Sequence, residues 1–134
     1  MATFLLKIVS PDGVKFEGEA RQLNVRTTTG EMGILAGHIP CVAPLGMGRA
    51  AVITPEQTRY AACIGGMVSV QRDTVILTPT TFEWADEIDL PRVERSMARA
   101  QAVLDSRDAT DTDIRLAKAR LYRALIRQRT ATEK

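Results

Sequence analysis

Glycine divides this chain in two. All nine glycines lie between Gly13 and Gly66, and beyond Trp84 there is no glycine, one proline (Pro91) and one aromatic (Tyr122). Glycine and proline at short intervals mark turns between strands, and their absence permits long helices. The 134-residue chain is therefore read as α+β, with a β domain over residues 1–85 and a helical domain over residues 86–134.

The β half is punctuated. Phe4 to Val9 is a β-rich run stopped by Ser10-Pro11-Asp12-Gly13, and Leu23, Val25 and Thr27 alternate with polar neighbours. Further strands are predicted over Arg49–Thr54, Thr58–Ile64, Met67–Gln71 and Thr74–Thr78, with Gly65-Gly66 read as the turn of a hairpin. Closely spaced strands of this kind suggest a sandwich or barrel.

The second half reads as two helices. Asp89 is a good N-cap, and Pro91 falls in the first turn, where a missing N–H costs little. Val93, Met97, Ala100 and Leu104 form one apolar stripe; Ile114, Ala117, Leu121 and Leu125 form a second. Thr110 with Asp113 has the form of a capping box between them. The stripes are narrow and rich in alanine, so each helix has little apolar area to bury and the hairpin is expected to be held loosely.

Charge is distributed unevenly. Residues 1–85 carry seven basic and seven acidic side chains, whereas Arg115 to Lys134 holds seven basic residues and one acidic, Glu133. Arg120, Arg123 and Arg127 stand at i, i+3 and i+7, a basic stripe suited either to solvent or to an acidic partner. The net charge of +2 is too small to imply nucleic acid, and the arginines lack interleaved aromatics on which bases would stack. No apolar run reaches the length a transmembrane helix needs, and the start lacks a signal peptide's basic region and cleavage site, so a soluble, cytosolic chain is expected. Cys41 and Cys63 both sit among apolar neighbours and are expected to be buried, free thiols.

Catalytic signatures are missing. Gly30-Glu31-Met32-Gly33 and Gly46-Met47-Gly48-Arg49 lack the lysine of a phosphate loop. A single histidine, His38, offers neither a triad nor a metal cluster. The residues alone thus describe a β domain joined to a basic helical hairpin, a regulator or adaptor rather than an enzyme.

Three stretches carry a resemblance, in order along the chain. Gly30-Glu31-Met32-Gly33-Ile34-Leu35-Ala36-Gly37-His38-Ile39-Pro40 is similar to a GELGILPGHAP loop, with Ala36 in place of the proline. Gly65-Gly66-Met67-Val68-Ser69-Val70 followed by Asp73-Thr74-Val75-Ile76-Leu77 is similar to an SGGFLEV…VTVL segment. Glu83-Trp84-Ala85-Asp86-Glu87-Ile88-Asp89 resembles an E-x-A-E-E-I-D junction. All three belong to the epsilon subunit of bacterial rotary ATP synthases, and the resemblance covers nearly the whole chain.

What it implies is a flattened β-sandwich of about ten strands followed by an antiparallel two-helix hairpin. It also implies a non-catalytic central-stalk subunit, bound to the gamma subunit and seated on the ring of c subunits. Such a subunit couples proton flow to ATP synthesis from the cytoplasmic face of the inner membrane, peripheral to it. Its mobile helices inhibit ATP hydrolysis by reaching the beta and alpha subunits. By the same resemblance Glu31 and His38 contact the c-ring, and Arg115, Lys118, Arg120, Arg123 and Arg127 supply the inhibitory contact to beta. No cofactor is required. Relatives that bind ATP as a regulatory ligand use positions matching Glu83, Ile88, Asp89, Arg92, Arg99, Arg123 and Arg127, but here Val93 replaces the alanine of their I-D-x-x-R-A motif and Pro91 interrupts it. Two unrelated readings remain beside this one: a stand-alone β-sandwich adaptor, and a nucleic-acid-binding protein resting on the basic tail alone.

Overall fold

The computed structural model describes residues 2–133 and divides into two compact units, residues 1–84 and 85–134. The first holds eight strands: β1 (Phe4–Ser10), β2 (Gly13–Ala20), β3 (Gln22–Thr27), β4 (Gly30–Leu35), β5 (Cys41–Pro44), β6 (Met47–Ile53), β7 (Thr58–Gln71) and β8 (Thr74–Trp84). They hydrogen-bond in the order β2-β1-β8-β7-β6-β3-β4, with β5 added to β7. Every pairing is antiparallel except β1 with β8, which sets Leu5 beside Thr74 and Ile8 beside Leu77 in parallel.

Alternation supplies the core. Leu6 and Ile8 of β1, Leu23 and Val25 of β3, Val68 of β7 and Leu77 of β8 are fully buried, while residues between them along each strand are less so. Inward side chains at a period of two are what a sheet folded around one core requires. Trp84 closes the end of this core. Its ring meets Phe82 edge-on at 4.9 Å between centroids, its Nε1 donates to the Lys15 carbonyl at 3.2 Å, and the Arg59 guanidinium lies 3.7 Å from its centroid.

Eight strands stand where about ten were expected, because β7 and β8 are long. Gly65-Gly66 is not a hairpin turn: β7 runs straight through it, and β8 pairs with β7 on both sides of it. What changes there is the other neighbour. Through Ile64 β7 pairs with β6, and from Met67 to Val70 it pairs with β5. The crease uses positive φ at Gly65 (+69°) and Gly66 (+96°), and a Cβ on Gly66 would collide with the Thr78 carbonyl oxygen. The real hairpin turn is Arg72-Asp73, with Asp73 at φ 63°. Similarly, β8 continues past Pro79 to Trp84. Beyond Leu77 its pairing with β1 has ended, and an edge is where a proline is tolerated.

The second unit opens with a short 3-10 turn, Ala85–Glu87, then α1 (Leu90–Asp105) and α2 (Asp111–Thr132), packed on one another. Both N-termini are capped as their residues dictate. The Asp89 carboxylate accepts from the Arg92 amide at 3.2 Å. Thr110 and Asp113 exchange side-chain bonds with each other's amides at 3.1 Å each way. Val93 and Ala100 are buried on α1, and Ala117 and Ala124 on α2, each pair seven residues apart and so on one face. The expected stripe on α2 needs correction at Leu125, which is 37% exposed. Ile126 and Thr130 are buried instead, on roughly the opposite side of the helix from Ala117 and Ala124. The Thr130 hydroxyl is satisfied within the helix, donating to the Ile126 carbonyl at 2.7 Å. α2 therefore has two buried faces, where a single amphipathic stripe was assumed.

Candidate functional surfaces

The glycine-rich stretch is built by β4 and the turn after it. Thr27 Oγ1 donates to the Gly30 carbonyl at 2.8 Å, closing the β3–β4 turn, and Gly30 takes φ +136°. Across the ladder Arg26 faces Glu31, and their side chains form an exposed ion pair at 3.2 Å. Gly48 lies beneath it, since a Cβ there would come within 2.8 Å of Arg26 Cβ. At the far end of β4 the His38 amide donates to the Leu35 carbonyl at 3.1 Å, with Gly37 at φ +83°. A glycine at that turn position carries the positive φ, so Ala36 can stand where relatives place proline. His38 Nδ1 lies 2.8 Å from the Ile39 carbonyl oxygen.

Glu31 thus lies at the start of β4 and His38 just beyond its end, with about 13 Å of strand between Glu31 and Leu35. Four exposed apolar side chains were not announced by the alternation. Leu35 (57% exposed), Ile39 (74%), Val42 (64%) and Met67 (41%) turn apolar side chains outward. β5 leaves the His38 turn and pairs with β7 so that Pro44 stands beside Met67, and its Pro44 carbonyl accepts from the Thr28 amide at 3.1 Å. Val42, two residues before Pro44, therefore shares one side of this ladder with Met67, and exposed apolar side chains brought together mark an interaction surface. Period two predicts an inner and an outer face on β5 but is silent on whether the outer one needs a cover.

The helical unit places its cations on separate faces. Arg92 and Arg99 are exposed, seven residues apart along one side of α1. Arg123 is exposed and Arg127 half-buried, four apart on α2. An open groove of about 960 Å3 between the helices near their connection is lined by Arg99 and Arg120, over a floor that includes Ala100, Val103 and Ala117. Arg92, Arg123 and Arg127 do not line it. Ile88 is half-buried just before the Asp89 cap, while Glu83 belongs to β8 in the other unit. Arg99 is therefore gathered with Arg120, a pairing the sequence did not suggest.

The two thiols differ. Cys63 is buried against the core, and the loss of solvation pushes its pKa up to about 12. Cys41, expected to be buried, is only half-buried: it sits on β5 opposite Val70, at the margin of the core. Among the described residues no group of three or more His, Cys, Asp or Glu side chains is placed to hold a metal ion, and no helix is long and apolar enough to cross a membrane.

Residues 3–85 match the family model of the ATP synthase Delta/Epsilon chain β-sandwich domain. The chain belongs to the ATP synthase epsilon chain family. Similarity to the family extends through the helices. The ATP synthase epsilon chain of Ruminococcus albus is 39% identical over all of both chains. That of Staphylococcus haemolyticus is 41% identical over 98% of each, and that of Bacillus subtilis 42% over 86% of each. Among solved structures, a chain of the Euglena gracilis mitochondrial ATP synthase (OSCP, F1 and c-ring) superposes with a TM-score of 0.71 at 23% identity, covering 95% of this chain and 76% of that one. A chain from the central stalk and c-ring of the Tetrahymena thermophila enzyme gives 0.62 at 12% identity, covering 96% of each. These likenesses show the epsilon-chain fold, a β-sandwich carrying two C-terminal helices.

Proposed function

We propose that this chain is the non-catalytic epsilon subunit of a proton-translocating ATP synthase. Its sandwich sits on the gamma subunit and the c-ring at the cytoplasmic face of the membrane, and its helical hairpin restrains ATP hydrolysis. The observation that carries this reading is end-to-end similarity to bacterial epsilon chains, helices included. The exposed apolar side chains of Leu35, Ile39, Val42 and Met67, with Glu31 and His38, support a docking surface for the rotor. The basic side chains Arg115, Lys118, Arg120, Arg123 and Arg127 of α2 supply one for acidic segments of beta.

The test is made in the source organism. An affinity-tagged copy of the chain co-purifies alpha, beta, gamma and c subunits, and ATP hydrolysis by that complex rises when residues 88–134 are deleted. Recovery of the tagged chain without these subunits would sink the reading. Cysteines at positions 31 and 38 are expected to crosslink to the polar loop of c, and failure at both would remove them from the contact.

ATP as a regulatory ligand rests on Arg92, Arg99, Arg123 and Arg127 carried by two adjacent helices, with Asp89 and Ile88 at the start of α1. Calorimetric titration with millimolar ATP decides it; absence of heat together with unchanged amide chemical shifts would exclude the ligand.

A further inference from the structure

The groove between α1 and α2 carries both signs of charge. On its α2 wall Asp113, Leu116, Ala117 and Arg120 stand at i, i+3, i+4 and i+7, along a single face of the helix. The acid lies at one end of this row, the base at the other, and the apolar pair between them. Its midpoint falls between Leu116 and Ala117, so Asp113 and Arg120 are equally far from it. Leu116 is 56% exposed, whereas Ala117 is buried. Arg99 and Asp108 line the same groove. These charges are not neutralised within the molecule. Asp113 and Arg120 are about 10 Å apart along the helix axis. Among the described residues the side chains of Arg99, Asp108 and Arg120 make no ion pair. The Asp113 carboxylate accepts from the Thr110 amide through Oδ2 at 3.1 Å, which leaves Oδ1 for a partner.

A single exposed leucine is ordinary and demands no cover. This one stands midway between an acid and an unpaired base, and that order decides what can cover it. A polyanion drawn to Arg99 and Arg120 meets Asp108 and Asp113 on the same walls, and an acidic helix meets the same two carboxylates. A copy of the row turned end for end meets neither obstacle. Asp113 then falls beside Arg120 of the second copy, Arg120 beside its Asp113, and Leu116 against its Ala117. Contacts that repeat in this reciprocal way define a two-fold interface, and two antiparallel hairpins supply the four helices of a bundle.

We propose that the free chain pairs with a second copy of itself through the row Asp113, Leu116, Ala117 and Arg120, in an antiparallel two-fold contact between the α2 helices. The contact covers two turns of each helix. An interface so small binds weakly, so the dimer forms at about millimolar concentration and dissociates well below it. Pairing withholds Arg120 from the beta subunit; that consequence, unlike the pairing itself, rests on the subunit assignment above.

Sedimentation equilibrium of the full chain tests this. The wild type is expected to show a monomer–dimer equilibrium at about 1 mM. Asp113→Lys sets bases against each other at both ends of the contact, and Arg120→Glu sets acids, so each variant alone should associate about tenfold more weakly or worse. An equimolar mixture of the two should dimerise again, because each supplies the charge the other lacks. Leu116→Ser should weaken the dimer and Leu116→Met should preserve it. A wild type that stays monomeric at about 1 mM, or association that neither charge variant weakens, overturns the proposal. So does a mixture that stays monomeric, or a Leu116→Ser variant that associates as the wild type does. Growth of the wild type beyond a dimer overturns the closed two-fold geometry.

Discussion

Cys63 stands on β7 opposite Phe82, and burial holds its thiol neutral, with a pKa of about 12 against an ordinary 9.0. A thiol reagent at pH 8 is therefore expected to modify Cys41 alone in the native protein and both cysteines after unfolding; equal native rates would contradict the burial of Cys63. The same shift has a sign for stability. The folded state favours the neutral thiol, so this contribution is complete below about pH 9 and is lost as pH rises toward 12. Denaturation midpoints between pH 7 and 10.5 should drop further for the wild type than for Cys63→Ala, and equal drops would refute the linkage. Glycines make a second comparison at this scale. Gly66→Ala drives a Cβ to within 2.7 Å of Pro79 Cα at a positive φ, and a cost of about 3 kcal/mol or more in urea unfolding is expected. Gly33→Ala meets the Asn24 side-chain oxygen at 3.2 Å and Gln22 Nε2 at 3.8 Å, ends of side chains that can move aside, so a loss below about 1 kcal/mol is expected.

Elements show where local chemistry was readable and where it was not. The capping box at Thr110 and Asp113 was legible because a cap is set by neighbours in sequence, and the structure forms both of its bonds. Thr110→Ala is expected to cost about 1 kcal/mol and to speed hydrogen exchange at the Asp113 amide; unchanged exchange would show that the box contributes nothing. Gly65-Gly66 misled because a glycine pair suits a hairpin turn and a crease within a strand equally. Only the partner change from β6 to β5, a tertiary fact, separates the two. Pattern also failed on α2, where two buried faces blur the single stripe a periodicity argument seeks. Ile126→Ala should accordingly cost about 2–4 kcal/mol, while Leu125→Ala, at an exposed position, should stay within about 1 kcal/mol. The reverse ranking by thermal unfolding would restore the original stripe.

At the scale of the molecule, the change in grammar at Trp84 was the most readable feature, and the two units meet in sequence between Trp84 and Ala85. Glu31 and His38 were singled out through a motif. The exposed Val42 and Met67 were not, because a lone exposed valine or methionine carries no signal until strands from distant parts of the chain set the two together. Residues 1–86 alone are expected to unfold cooperatively, since Phe4 to Trp84 supply a closed core; a broad, non-cooperative melt would contradict that. The parallel pairing of Leu5–Ile8 with Thr74–Leu77 also sets when, during synthesis, the sandwich can close. β1 emerges first yet cannot complete its hydrogen bonds until nearly all the other strands have been translated, and such distant pairings are slow to form. The sandwich is thus a structure that closes late and all at once. The core that closes then draws no side chain from the helices, so changes in their length or sequence need not disturb it.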